Sequence, residues 1–293
     1  MLGEIRGEVR FKEPLSFHTS LRIGGPADIF IVPQDVEDIR LALSFAEREQ
    51  LSLDVIGGGN NLLVSDRGVR GVVLKLEGCL GRAEFNGEEA VAGAGVSLSA
   101  LIREAAALNL GGIECLVGVP ATVGGAVAMN AGTLDGGIAD FISAVYFLYP
   151  DGTLGEFKPG NGSYSYNVFT PPAKSVLIGA RLQLQRRPFA EIQKDIKQRL
   201  KQKKSTQPLA LASVGCVWKN PPGETATRLI EKVGLKGKRL NGAEISAKHA
   251  NFIVNRGGAA ASDIKALMQL TLDRVRNHFG ITLEPEIKTL GEI

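Results

Sequence analysis

The chain has only three cysteines in 293 residues, Cys79, Cys115 and Cys216. An odd, widely spaced set excludes a disulfide framework and contains no metal-binding motif. The formal net charge of +3 is too small to argue for nucleic acid. No apolar run approaches the length of a membrane span. The opening MLGEIRGEVRF lacks the apolar core of a signal peptide. The expectation is therefore a cytoplasmic protein with no membrane span and no nucleic-acid partner. A hydrophobic content of 44% over this length suffices for one large or two medium cores.

Glycine is abundant, with 36 residues, and clustered. Between the clusters, strands and helices mix without βαβ alternation, which predicts an α+β fold. Residues 29–32 read as a strand ended by Pro33, and Asp35 caps a helix with Val36, Ile39, Leu43 and Ala46 on one face. LDVI and LLV read as strands on either side of GGGNN, and AVYFLYPDGTLGEF as a hairpin with Asp-Gly in its turn. The composition changes at QRRPF, residues 185–189. This break divides the chain into a glycine-rich domain, 1–187, and a smaller α+β domain, 188–293. In the latter, FAEIQKDIKQRLKQKK reads as a helix whose cationic residues are either a solvated face or a phosphate-binding patch, a capped helix starts at Ser262, and ITLEPEI forms the last strand.

Three stretches carry candidate chemistry. VIGGGNNLLV is either a tight hairpin turn or a nest of backbone N–H groups for an anion, built from Gly57, Gly58, Gly59, Asn60 and Asn61. It matches neither the dinucleotide fingerprint nor the triphosphate loop. GVPATVGGAVAMNAG, residues 118–132, is unusually small and uncharged. Such backbone suits close helix–strand packing or a large flat group such as a flavin, with Asn130 as the one amide side chain. The two segments together point to a dinucleotide cofactor. ASVGCVWKNP sets Cys216 three residues before Lys219. A thiol of ordinary pKa, about 8.5, is protonated at neutral pH and can donate a proton, although a lone cysteine is more often inert packing. In LEPEI, Glu284 and Glu286 share a face if the segment is a strand. His249 is either a structural histidine or a substrate contact.

In order along nearly the whole chain, HTSLRIGGPAD, GGGNNLLVSDRGVRGVV, GIECLVGVPATVGGAVAMNAG, VGCVWKNP, LIEKVGLKGKRLNGAEISAKHANFIVN and LEPEI resemble the UDP-N-acetylenolpyruvoylglucosamine reductase family of bacterial cell-wall synthesis, in its shorter class. The resemblance implies a two-lobed FAD-binding domain of the vanillyl-alcohol-oxidase (PCMH) type, with lobes of about 1–70 and 71–187, followed by a substrate domain. It implies non-covalent FAD on Gly57, Gly58, Gly59, Asn60, Asn61, Pro120, Ala121, Thr122, Gly124, Gly125, Ala126 and Asn130. NADPH is the implied hydride donor and the enolpyruvyl UDP-sugar the implied substrate of a monomeric enzyme. Cys216 stands where the family carries its proton-donating serine, and Glu286 matches its glutamate. Lys219, Asn220 and His249 are the implied substrate contacts in the C-terminal domain.

NGSYSYNVFT, residues 161–170, falls where the family carries Tyr-Arg-x-Ser-x-Phe. Tyr164 and Phe169 match, Ser165 occupies the arginine position and Asn167 the serine position. Tyr164 and Ser165 are the substrate contacts implied there. Three readings follow: a working reductase in which Arg22, Lys219, Lys248 or a lysine near 201–204 replaces the arginine; a catalytically impaired paralogue that binds FAD and UDP-sugar; or a flavin oxidoreductase with another substrate.

Overall fold

The computed structural model describes residues 2–133, 135–158, 172 and 174–292. Tyr164, Ser165, Asn167 and Phe169 lie outside the described residues. The fold is α+β. Contacts divide it into two compact units, each assembled from separate parts of the chain. The first takes Met1–Phe11, Ile29–Gly58 and Gly71–Gln202; the second takes Lys12–Asp28, Gly59–Arg70 and Lys203–Ile293.

The first unit contains an antiparallel sheet of five strands in the order Leu154–Phe157, Ile142–Leu148, Val176–Gln183, Glu89–Gly93, Ala83–Asn86. The Asp-Gly hairpin is present, with Leu148 opposite Leu154. Strand Leu53–Ile56 pairs in parallel with Val69–Lys75. Helix Val36–Arg48 starts as its sequence predicts: Asp35 accepts from the N–H groups of Glu37 (3.1 Å) and Asp38 (3.2 Å), supplying partners that the first turn lacks. Its fully buried Ile39 and Ala42 join Leu98, Leu101 and Ala105 of helix Leu98–Ala107 in one core. Burying each such leucine or isoleucine contributes roughly 1.5–3 kcal/mol.

The second unit contains an antiparallel sheet in the order Ala212–Cys216, Phe252–Asn255, Ala243–Ile245, Arg239–Leu240. Leu229 and Ile230 of helix Ala226–Lys232 and Ile264, Leu267 and Val275 of helix Ala261–Phe279 form its core with Trp218. The second helix begins one residue before the expected Ser262. Its cap comes from a distant carboxylate, because Asp66 accepts from the N–H groups of Ala261 (2.7 Å) and Ser262 (3.1 Å). Gly280 ends it in the left-handed conformation, φ +71°.

Two sequence expectations change, and one strand is new. The strands flanking GGGNN do not pair with each other, so the stretch is not a hairpin turn: Leu62–Val64 pairs in parallel with Lys288–Leu290. ITLEPEI is not a ladder strand. The strand starts at Lys288, and Pro285 makes a single bridge to Trp218, since proline has no N–H to continue a ladder. Strand Glu8–Pro14 is polar and exposed along most of its length, and periodicity did not show it. Among the described residues, no helix is long and apolar enough to cross a membrane.

Candidate active site

In the second unit, Cys216 ends its strand after an irregularity. The ladder with Phe252–Asn255 runs Ala212 to Asn255 and Ser213 to Val254, then shifts so that Cys216 faces Phe252. Gly215 lies in the shifted stretch with φ +81°, and no atom lies within 4 Å of where its Cβ would be. Glycine is thus needed there for conformation rather than space. Beyond the shift, Lys219 N–H donates to Glu284 O (2.9 Å) and Glu286 N–H donates to Val217 O (2.8 Å). The two sequence-distant motifs VGCVWKNP and LEPEI are therefore hydrogen-bonded side by side.

This pairing puts Cys216, Lys219, Glu284 and Glu286 in one cluster. Lys219 Nζ lies 3.2 Å from Glu284 Oε2, and the Glu284 side chain is exposed. Glu286 is more enclosed: burial raises its carboxyl above the ordinary value of 4.5, with Lys219 opposing. Although Cys216 as a whole keeps some exposure, burial around its thiol pushes the pKa up to about 12. The Glu286 carboxylate adds to that rise, while Lys203 and the Asn251 side chain oppose it. The thiol therefore stays protonated at every physiological pH. At about pH 8 its thiolate fraction is on the order of one in ten thousand, against roughly a quarter for an ordinary cysteine. Iodoacetamide is accordingly expected to label Cys216 far more slowly than a free model thiol, with mass spectrometry as the readout. Labelling at the model rate would show that the thiol is not desolvated.

The other expected contacts of this unit have structural bonds. Asn220 Oδ1 accepts from Ala226 N–H (3.0 Å) at the start of helix Ala226–Lys232. The His249 ring stands edge-on to Phe252 at 4.7 Å, and its buried Nδ1 has no hydrogen-bond partner among the described residues. Burial lowers its pKa, so the ring is neutral at physiological pH. Gly59, Asn60 and Asn61 belong to this unit. The Asn61 amide donates to Glu286 O (3.2 Å), a tie that sequence reasoning missed. It also missed Asn251, whose side chain bonds both backbone groups of Trp218. The only local signal for Asn251 is one amide residue at the head of an apolar strand.

In the first unit the two remaining glycine-rich pieces meet. A Cβ on Gly57 would clash with Thr122 Oγ1, and one on Gly124 would lie 2.8 Å from the Ala94 Cβ. Ala126 is buried, Ala121 O accepts from Leu98 N–H (2.9 Å), and Pro120 lies three residues before the helix. The amides that begin helix Val123–Ala128 are used internally: Gly124 N–H goes to Ala94 O (2.9 Å) and Gly125 N–H to Thr122 Oγ1 (3.2 Å). The amides of Gly57 and Gly58, by contrast, donate to no other described residue. Asn130 is held at φ +42° with its Oδ1 accepting from Ala139 N–H (3.3 Å). These residues fit a flavin dinucleotide. The Gly57–Gly58 loop offers N–H groups to an anion, and the segment from Pro120 to Ala126 offers a surface of small side chains to a flat ring.

Residues 27–158 match the family model described as FAD binding domain, and residues 207–290 match the C-terminal domain of UDP-N-acetylenolpyruvoylglucosamine reductase. The UDP-N-acetylenolpyruvoylglucosamine reductase of Anaeromyxobacter sp. is 42% identical over 98% of this chain and 90% of its own length. A second, from Symbiobacterium thermophilum, is 40% identical over 97% and 93%. The crystal structure of the Thermus caldophilus reductase superposes with a TM-score of 0.82 at 36% identity, covering 98% of this chain and 99% of that one. The fold is thus an FAD-binding domain of the PCMH type with the reductase C-terminal domain. From end-to-end similarity at this level, the chain belongs to the UDP-N-acetylenolpyruvoylglucosamine reductase family.

Proposed function

We propose that the protein is a cytoplasmic, monomeric enzyme of peptidoglycan precursor synthesis that reduces UDP-N-acetylenolpyruvoylglucosamine to UDP-N-acetylmuramate with NADPH and non-covalent FAD. The observation that carries this reading is a protonated Cys216 thiol clustered with the Glu286 carboxyl on two hydrogen-bonded segments. FAD, when bound, supplies hydride from NADPH to the β-carbon of the enolpyruvyl group. The protein must then protonate the neighbouring carbon and stabilise the charge that develops on the substrate carboxyl. Cys216 gives the proton. Burial raises the Glu286 carboxyl above its ordinary value, and in its acid form it donates a hydrogen bond to the substrate carboxyl. Lys219 adds a positive charge beside it.

The flavin is assigned to the domain 1–187, on Gly57, Gly58, Gly59, Asn60, Asn61, Pro120, Ala121, Thr122, Gly124, Gly125, Ala126 and Asn130. The UDP-sugar is assigned to 188–293 through Lys219, Asn220 and His249, joined by Tyr164 and Ser165. Gly57→Ala is expected to lower flavin content because its methyl group meets Thr122, an overpacking cost of about 1–3 kcal/mol. Gly3→Ala, with no atom within 4 Å of its new methyl, is the control. Equal flavin absorbance per protein in both variants would remove Gly57 from the flavin site.

Ser165 at the family's arginine position favours a second reading, an impaired paralogue that binds FAD and UDP-sugar. Among the cations considered as replacements, Lys219 is the one held next to both acidic residues. Product formation by the wild-type protein and Ser165→Arg separates the two readings. A working reductase with Lys219 in this role forms product at rates ordinary for an enzyme, and arginine changes turnover little. An impaired paralogue forms almost none until arginine restores it, by about 100- to 1000-fold.

A further inference from the structure

The Trp218 peptide groups between Cys216 and Lys219 have an unusual partner. Trp218 N–H donates to Asn251 Oδ1 (2.9 Å), and Asn251 Nδ2 donates to Trp218 O (2.8 Å). Val217 N–H donates to the Asn251 carbonyl (2.8 Å). A side-chain amide here takes the place of a neighbouring strand's peptide at the point where the ladder has shifted register. Asn251 is 3% exposed, so these bonds have no competition from water. The opposite ties of the same segment run to Glu284 and Glu286. Asn251 and the LEPEI segment thus clamp Val217–Lys219 between them.

A primary amide has two N–H donors. One is used on Trp218 O while the amide oxygen takes Trp218 N–H. Both peptide groups of the residue two positions after Cys216 are thereby fixed, which holds the Cys216–Lys219 backbone in one conformation.

We propose that Asn251 is a positioning residue for proton transfer, fixing through the Trp218 peptide the backbone segment that carries the Cys216 thiol. In the step it serves, the S–H bond of Cys216 breaks and its proton forms the new C–H bond at the carbon next to the substrate carboxyl. The electron pair stays on sulfur as a thiolate, and solvent returns the proton after product leaves. This inference rests on the proton-donor role of Cys216.

The test follows flavin reduction and reoxidation separately in Asn251→Ala, in Cys216→Ala and in the double variant. Asn251→Ala is expected to slow reoxidation by the UDP-sugar about 10- to 100-fold, the scale expected when a reacting group is misplaced. KM and flavin reduction by NADPH should stay near wild type, and the solvent deuterium isotope effect on reoxidation should rise. In the Cys216→Ala background the Asn251 substitution should cost nothing further. Should Asn251→Ala not fold, Asn251→Asp keeps the acceptor for Trp218 N–H and loses both N–H donors, and the same slowing and larger isotope effect are expected. A full additive loss in the double variant, or a raised KM with unchanged reoxidation and isotope effect, would overturn the proposal. If Cys216→Ala alone reoxidises normally, the proton-donor assignment fails first, and the wild-type isotope effect separates that result from a failure of Asn251.

Discussion

Cys216→Ala is expected to lower formation of UDP-N-acetylmuramate by about 100- to 10,000-fold, the usual worth of a positioned general acid. NADPH should still reduce the flavin at the wild-type rate, because the residues assigned to the cofactor are untouched. Cys216→Ser should retain much of the activity, since a hydroxyl also carries a transferable proton. With the thiol raised to about 12, loss of its proton cannot shape the pH profile below that value. A wild-type fall in turnover centred near the ordinary thiol pKa, absent in Cys216→Ser, would contradict the desolvated thiol. Undiminished product from Cys216→Ala would take the residue out of the mechanism.

Glu286→Ala is expected to cost about 100- to 1000-fold in turnover, as for removal of a donor aimed at developing charge. The sign of the pH dependence follows from its environment. Burial raises the Glu286 carboxyl, and a bound substrate carboxylate would raise it further by like-charge repulsion. Activity that needs the acid form is complete below this raised pKa and is lost as pH increases through it. Glu286→Gln keeps an N–H donor but cannot titrate. It should therefore lose less activity than Glu286→Ala, and the fall with rising pH should disappear from its profile. An unchanged fall in Glu286→Gln would assign it to another group.

The local pieces of this fold were plain in the sequence because local chemistry makes them. Asp35 caps its helix, Asp-Gly turns its hairpin, and GVPATVGGAVAMNAG is small where Gly57, Thr122, Gly124 and Ala94 crowd together. Cys216 and Glu286 could be named from motif order, but not their shared environment. That environment depends on Glu286 N–H reaching Val217 O and on Leu62–Val64 pairing with Lys288–Leu290. Such pairings between distant segments leave no periodicity. Pro285 hid the start of the chain's last strand, since it bridges Trp218 without starting a ladder. Asn61 and Asn251 were missed as supports because an amide that mimics a peptide looks in sequence like any other polar residue.

The most direct test is anaerobic stopped-flow on the FAD-loaded protein, reduced with NADPH and then mixed with UDP-N-acetylenolpyruvoylglucosamine. A working reductase predicts rapid return of the oxidised flavin spectrum, with UDP-N-acetylmuramate formed in equal amount. A flavin that stays reduced while the UDP-sugar still perturbs its spectrum would contradict the proposed function, and would mark a binding protein that kept the site and lost the reaction.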